Sequence, residues 1–115
     1  MLKLISKDIG KIKPDSVLDY HSAGGYVGLK KAMQMEPLEI IEEVSKARLM
    51  GRGGAAYPTG FKWEQAYKSK NFPEYAVCNG DEGEPGTFKD KLMLTQNPLR
   101  LIEGMTIAAY VFNIK

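Results

Sequence analysis

The sequence predicts an α/β fold, present only in part and preceded by a helical N-terminal segment. Three observations lead there. Helical apolar periodicity fills much of residues 14–50. A glycine-dense stretch, Gly51–Lys62, carries four of the chain's twelve glycines between two helical patterns. A short apolar run, Glu74–Asn79, ends at Gly80 and reads as a buried strand followed by a loop and an apolar helix. One strand satisfies none of its own ladder, so this order reads as half of a βαβ unit that needs more chain or a partner. The division falls at 50/51, with a helical segment over 1–50 and the first part of an α/β domain over 51–115.

Residues 1–13 hold four lysines and one acid, with a short strand or arm conceivable at Leu2–Ile5. Asp15 or Ser16 caps a first helix running to about Ser22, which Gly24-Gly25 breaks at a helix–helix corner. Tyr26–Gln34 then places Leu29, Ala32 and Met33 at helical spacing. Glu36-Pro37 opens the next helix, with proline at its first position and acids at 36 and 39 near its positive end. Ile40, Ile41, Val44 and Ala47 form its apolar stripe, Glu42 and Lys46 pair outside, and Gly51 is expected just past its end near Met50. Thr59 is expected to cap a helix to about Lys68, which Phe72-Pro73 closes off. Asp81–Thr87, with Gly83, Pro85 and Gly86, must be a loop. A helix is expected over Phe88–Gln96. Asn97-Pro98 then reads as a cap and first turn of a helix to about Asn113, apolar nearly all round and expecting cover on more than one side. Gly104 and Ala108 suggest that another backbone packs closely against it.

Composition narrows the function classes. Apolar residues at 43% and charged residues at 26% are ordinary for a soluble globular chain. A net charge of +2, with scattered Lys and Arg and no aromatic–basic interleaving, argues against nucleic acid. Lys7 and Asp8 interrupt Met1–Ile5 before a signal-peptide core forms, and Leu99–Ile114 is shorter than the roughly 20 residues that span a bilayer. A cytoplasmic chain without direct membrane insertion is the expectation. The single cysteine, Cys78, excludes an internal disulfide and any cluster or zinc site held by several thiolates of this chain alone. It is expected to be buried and inert within its strand.

Two stretches carry chemistry. In Gly51–Lys62, glycines let a ligand approach the main chain, a helix start offers N–H groups, and Arg52 and Lys62 supply positive charge, which together suit a phosphate monoester. Neither of the two familiar nucleotide-loop patterns matches, and a flexible interhelical turn is the plain alternative. Asn79–Thr87 follows the strand's C-terminal end, where open α/β sheets bind ligands. Its carboxylates, Asp81, Glu82 and Glu84, would repel a phosphate and should face a sugar or ring. Asn79 suits the edge of a heteroaromatic ring. An all-oxygen Mg²⁺ or Ca²⁺ site and a solvated acidic loop stand beside that reading. Tyr57 lies inside the first loop, where it can stack on a ligand ring, whereas Trp63 and Tyr67 are expected to pack in the core. His21 is expected to be structural.

Gly51-Arg-Gly-Gly-Ala-Ala-Tyr-Pro-Thr-Gly-Phe-Lys-Trp63 and Cys78-Asn-Gly-Asp-Glu-Gly-Glu-Pro-Gly-Thr-Phe-Lys-Asp90 together resemble one family. It is the flavin-bearing 51-kDa subunit of respiratory complex I, with the diaphorase subunits of NAD(P)-linked hydrogenases and formate dehydrogenases. Gly24-Gly25-Tyr26, Leu101–Met105 and Ala108-Ala109-Tyr110 extend the resemblance to about residues 20–112. It implies a Rossmann-like α/β domain binding FMN, with NADH stacked over the flavin. Gly51, Arg52, Gly53, Gly54 and Lys62 match the loop around the FMN phosphate, and Asn79, Asp81 and Glu82 match contacts to the ribityl chain and isoalloxazine. Glu84 matches a carboxylate near the nicotinamide nucleotide, and Tyr57 replaces a phenylalanine that stacks on its adenine. Ala56 stands where glycine is usual, Gly80 where alanine is common, and Gln65 where a second adenine-stacking aromatic is often found.

The resemblance implies hydride transfer from NADH to FMN and onward electron transfer to iron–sulfur proteins of a multi-subunit complex. No side chain of this chain is expected to act as a proton-transferring catalyst. The family's later pocket residues and its four 4Fe–4S cysteines are not in this sequence, so a fragment that by itself binds FMN weakly or not at all is expected. A flavin- or nucleotide-binding module completed by a separate chain, and an inactive truncated product, are the alternatives.

Overall fold

A computed structural model describes residues 7–51, 57–69, 75–79 and 89–114. The described residues contain six helices: α1 (Val17–Ser22), α2 (Val27–Ala32), α3 (Pro37–Lys46), α4 (Thr59–Ser69), α5 (Lys89–Gln96) and α6 (Pro98–Phe112). They fall into two compact units, Met1–Leu29 with Val77–Thr106 and Lys30–Ala76 with Ile107–Lys115.

In the first unit, the Ser16 hydroxyl accepts the Asp19 N–H at 3.1 Å and caps α1, as its residue type predicts. The helix ends in a paired motif: Gly24 N–H reaches His21 O at 3.1 Å and Gly25 N–H reaches Tyr20 O at 2.8 Å. Gly24 takes φ +97°, and a Cβ on Gly25 would lie 2.3 Å from the Tyr20 ring, so both glycines of the corner are required. His21 is exposed and lies 6.3 Å from the Tyr26 ring.

Glu103, on α6, organises this corner. Its carboxylate accepts the Tyr20 hydroxyl at 2.5 Å and the N–H groups of Tyr26 at 2.9 Å and Leu29 at 3.0 Å. Tyr26 and Leu29 flank the first turn of α2, so the carboxylate caps that helix from a distant part of the sequence. Tyr26 is held at φ 68°, a left-handed conformation that costs a side-chain-bearing residue about 1 kcal/mol. Burial alone would raise the Glu103 carboxyl. The Tyr20 hydroxyl, the two N–H groups and the Arg100 guanidinium outweigh it and hold the group below the usual carboxylate range. Burial, then the bond to Glu103, pushes the Tyr20 hydroxyl up. Arg100 also lies 3.9 Å from Asp8.

Asn97 departs from its expected role. It is fully buried and its N–H closes α5 on Met93 O at 2.9 Å, but neither polar atom of its side chain has a partner. With a single residue between α5 and α6 its side chain is packed inward, and it accepts none of the N–H groups of the first turn of α6. α6 ends as α1 does, with Asn113 at φ 54° and Ile114 N–H on Ala109 O at 2.9 Å.

In the second unit, Pro37 starts α3 and the Glu36 N–H is taken by Glu39 at 2.9 Å. The helix ends at Lys46, earlier than expected, and Ala47 is its exposed C-cap, outside the apolar stripe. Arg48, at φ 55°, takes the left-handed position assigned above to Gly51. The reason is tertiary: Leu49–Gly51 are drawn into an antiparallel bridge with Tyr57–Thr59. Glycine has no Cβ penalty at such a position, so Arg48→Gly is expected to stabilise the protein by about 0.5–1 kcal/mol, read as a higher urea midpoint. An unchanged midpoint would mean that the arginine side chain returns what its backbone loses.

The core here is Ala32, Ile40, Ile41 and Val111, with Met35, Trp63, Tyr67, Ile107 and Phe112 around it. Trp63 and Phe112 meet edge to face at 5.6 Å, and the Tyr110 hydroxyl donates to Met35 O at 2.9 Å. Trp63 and Tyr67 are packing residues, as their spacing predicts.

Further expectations fail among the described residues. The strand at 74–79 is not formed over 75–79, which are all exposed, and Cys78 is therefore exposed rather than buried. No strand lies among the described residues to supply its ladder, and a lone strand has no stability of its own. No backbone packs on Gly104, where a Cβ would meet nothing within 4 Å, and Ile102 beside it is 53% exposed. Among the described residues no helix is long and apolar enough to cross a membrane. The arm at Leu2–Ile5, Phe72-Pro73 and the loop Asp81–Thr87 lie outside the described residues.

Candidate functional site

The glycine-dense stretch is held at its base by the chain on either side of it. Gly51 N–H donates to Tyr57 O at 2.8 Å and Thr59 N–H to Leu49 O at 2.9 Å, pairing Met50 with Pro58 in an antiparallel bridge. Residues 52–56 between these ends are outside the described residues, and with them the expected roles of Arg52, Gly53, Gly54 and Ala56.

The bridge delivers the chain straight into α4. Thr59 is the first helical residue rather than the cap, because Pro58 O already accepts the Lys62 N–H at 3.2 Å. Thr59 and Lys62 thus have partners for their N–H groups, while Gly60 and Phe61 have no intrahelical ones. The first turn of α4 has no acidic residue, and Lys62 is exposed at its end. A cation at the positive end of a helix is unfavourable by itself and becomes favourable when an anion sits between them.

Gly60 fixes where this helix start lies. A Cβ on Gly60 would stand 2.2 Å from the Ser45 hydroxyl oxygen, 2.7 Å from Ser45 Cα and 2.8 Å from Ser45 N. α4 therefore begins in backbone contact with the last turn of α3, which no side chain at position 60 would permit. Gly60 is a site-building residue that motif reading passes over. Its signal is a glycine inside the first turn of a helix, where glycine is otherwise unfavourable.

Tyr57 sits at the far side of the bridge, exposed, with its ring 6.0 Å from Phe61 at 39° and its hydroxyl donating to Gln65 Oε1 at 3.3 Å. Gly51, Tyr57 and Lys62 are thus gathered around the start of α4. Asn79 is exposed and belongs to the first unit, and Asp81, Glu82 and Glu84 lie outside the described residues. The arrangement can hold an anion and an adjoining planar ring.

A glycine-dense stretch paired at its two ends and followed by an acid-free helix start is a build that can accept an anion. Comparison with known proteins gives its family. Residues 44–115, more than half of the chain, match the Nuo51 FMN-binding domain, and the chain belongs to that family. It is 46% identical over 109 residues to an NADH-quinone oxidoreductase subunit of Aquifex aeolicus, covering 95% of this chain and 25% of that one. The NADP-reducing hydrogenase subunit HndC of Solidesulfovibrio fructosivorans is 41% identical over 109 residues, 95% of this chain and 22% of that subunit. The NAD-reducing hydrogenase HoxS subunit alpha of Cupriavidus necator is 42% identical over 87 residues, 76% of this chain and 14% of that one. The chain spans a quarter or less of each of these relatives.

Proposed function

We propose that this chain is the N-terminal part of an oxidoreductase subunit that takes hydride from NADH onto bound FMN and passes electrons to iron–sulfur clusters of partner subunits. The observation that carries the reading is the tied loop and acid-free start of α4, lying inside the segment that matches an FMN-binding family. The described residues suit a flavin phosphate: the Gly60 and Phe61 N–H groups of the first turn have no intrahelical acceptors, no acid stands beside them, and Lys62 supplies charge.

Bound there, FMN would supply the redox chemistry, two-electron hydride acceptance and single-electron release. The chain's own part is to bind and orient. Gly51, Arg52, Gly53, Gly54 and Lys62 would hold the phosphate; Asn79, Asp81 and Glu82 the ribityl chain and ring edge; Tyr57 and Glu84 the nicotinamide nucleotide. Residues 51–115 would be the first part of a Rossmann-like α/β domain after a helical segment over 1–50. In it, the exposed segment 75–79 gains its ladder from strands outside these residues. The assembly would be cytoplasmic, with iron–sulfur proteins as partners and the 4Fe–4S ligands elsewhere in the protein. The same exposed segment equally suits a module completed by a separate chain.

Lys62→Ala in the flavin-loaded holoenzyme is expected to weaken FMN retention about tenfold, with Lys62→Arg keeping most of it. The measurement is flavin released per protein on dilution and gel filtration. Equal retention in the alanine variant and the parent would remove Lys62 from the phosphate site.

A further inference from the structure

Asn79 has a chemistry of its own that the proposed function leaves unused. Residues 75–79 form neither helix nor strand and are all exposed, with Val77 at 84%. Among the described residues no strand runs beside them, so the segment belongs to no ladder. Of the chain's asparagines, Asn71, Asn79, Asn97 and Asn113, only Asn79 is followed by glycine. That neighbour matters because the N–H of the next residue can attack the asparagine's own side-chain carbonyl carbon. Glycine has no Cβ to obstruct the approach and rotates freely into it. The other three are poorly placed for the same step. Asn97 is fully buried and precedes Pro98, which has no N–H. Asn113 precedes Ile114, which is branched at Cβ, and Asn71 precedes Phe72.

We infer that Asn79 is a self-modifying site: while no flavin covers it, it closes on the Gly80 nitrogen to a succinimide, opens to aspartate or isoaspartate, and thereby ends flavin binding. The chemistry rests on Asn79 and its neighbour, and the consequence rests on the proposed FMN-binding function. In the first step a bond forms between the Gly80 nitrogen and Cγ of Asn79. The Cγ–Nδ2 bond breaks, and ammonia leaves with the proton that the Gly80 nitrogen gives up. Water then opens the cyclic imide at either carbonyl, giving aspartate in the ordinary chain or isoaspartate linked through the side chain. Water is the only co-reactant, and nothing is oxidised or reduced. Either product exchanges two N–H donors for a negative charge, next in sequence to Asp81 and Glu82. Isoaspartate also inserts a methylene into the main chain ahead of that loop. Bound flavin would engage the carboxamide, so the conversion acts on the empty protein and marks it irreversibly.

The test incubates the holoenzyme that contains this chain at mildly alkaline pH, half of it stripped of flavin and half loaded. Peptide mapping by mass, with an isoaspartate assay, reads position 79, and added FMN reads the remaining binding capacity. A freshly stripped sample that rebinds FMN shows that the fold is kept. Stripped parent is expected to lose the Asn79 amide and FMN capacity in step, while loaded parent keeps both. Gly80→Ala should slow the conversion about tenfold, and Asn79→Asp should bind FMN weakly from the outset. Asn79 unchanged in the stripped parent, conversion at equal rates with and without flavin, or full FMN capacity in Asn79→Asp would overturn the inference. A holoenzyme that carries no flavin as isolated would instead overturn the functional reading, with the chemistry at position 79 still read by mass.

Discussion

Gly60→Ala is expected to be among the most damaging single-methyl changes available in this protein. The added carbon would sit 2.2 Å from the Ser45 hydroxyl oxygen and within 2.8 Å of Ser45 backbone atoms, so α4 must move away from α3. Overpacking of this kind typically costs about 1–3 kcal/mol, and here backbone as well as side chain opposes it, which places the loss at about 3 kcal/mol. Alanine's higher helix propensity returns less than about 1 kcal/mol of that. Flavin retention should fall with stability, because what yields is the start of the helix proposed to face the phosphate. Ser45→Gly in the same chain removes the hydroxyl but not the Ser45 Cα and N, so it should restore only part of the loss. A Gly60→Ala protein with an unchanged urea midpoint would show that the two helices do not pack this closely.

The second large effect is expected at Glu103. Glu103→Ala removes the acceptor for a buried hydroxyl and two N–H groups at once, and should lower stability by about 3–5 kcal/mol. Combining it with Tyr20→Phe should cost clearly less than the sum of the two, since the phenylalanine leaves no hydroxyl to strand. Additive costs would mean that the 2.5 Å bond contributes nothing. The pH dependence follows from the two shifts. The Glu103 carboxyl is held low, so its contribution is present above the ordinary glutamate value of about 4.3 and is lost as pH falls through its lower folded value. The Tyr20 hydroxyl is pushed up, so its contribution is present below about pH 10 and is lost as pH rises beyond that. Glu103→Gln should flatten the acid side of the stability profile and Tyr20→Phe the alkaline side. A profile unchanged on both sides would detach these groups from the titration.

Local chemistry made much of the helical layout legible. Ser16, Pro37 and Pro98 mark three helix starts through capping and a fixed φ, and Gly24-Gly25 ends α1 because that turn needs a left-handed residue. The family was legible too, in two long motifs that no helix pattern requires, and the match over residues 44–115 agrees with it. Where α3 ends was not legible. Gly51 looked like the residue past a helix, yet the bridge to Tyr57 and Pro58 pulled Leu49 and Met50 out of it and left Arg48 in the strained position.

The sequence by itself determined the starts of α1, α3 and α6, the burial of Ile40 and Ile41, the packing of Trp63 and Tyr67, and the membership in a flavin-binding family, because those depend on near neighbours and on motifs. Only the tertiary structure decided that Glu103 caps a helix more than seventy residues away, that Gly60 lets α4 begin against Ser45, and that Gln65 is tied to Tyr57. It decided also that residues 75–79 stand exposed. A strand's stability lies in its partner's backbone, and no periodicity within the strand can supply that partner.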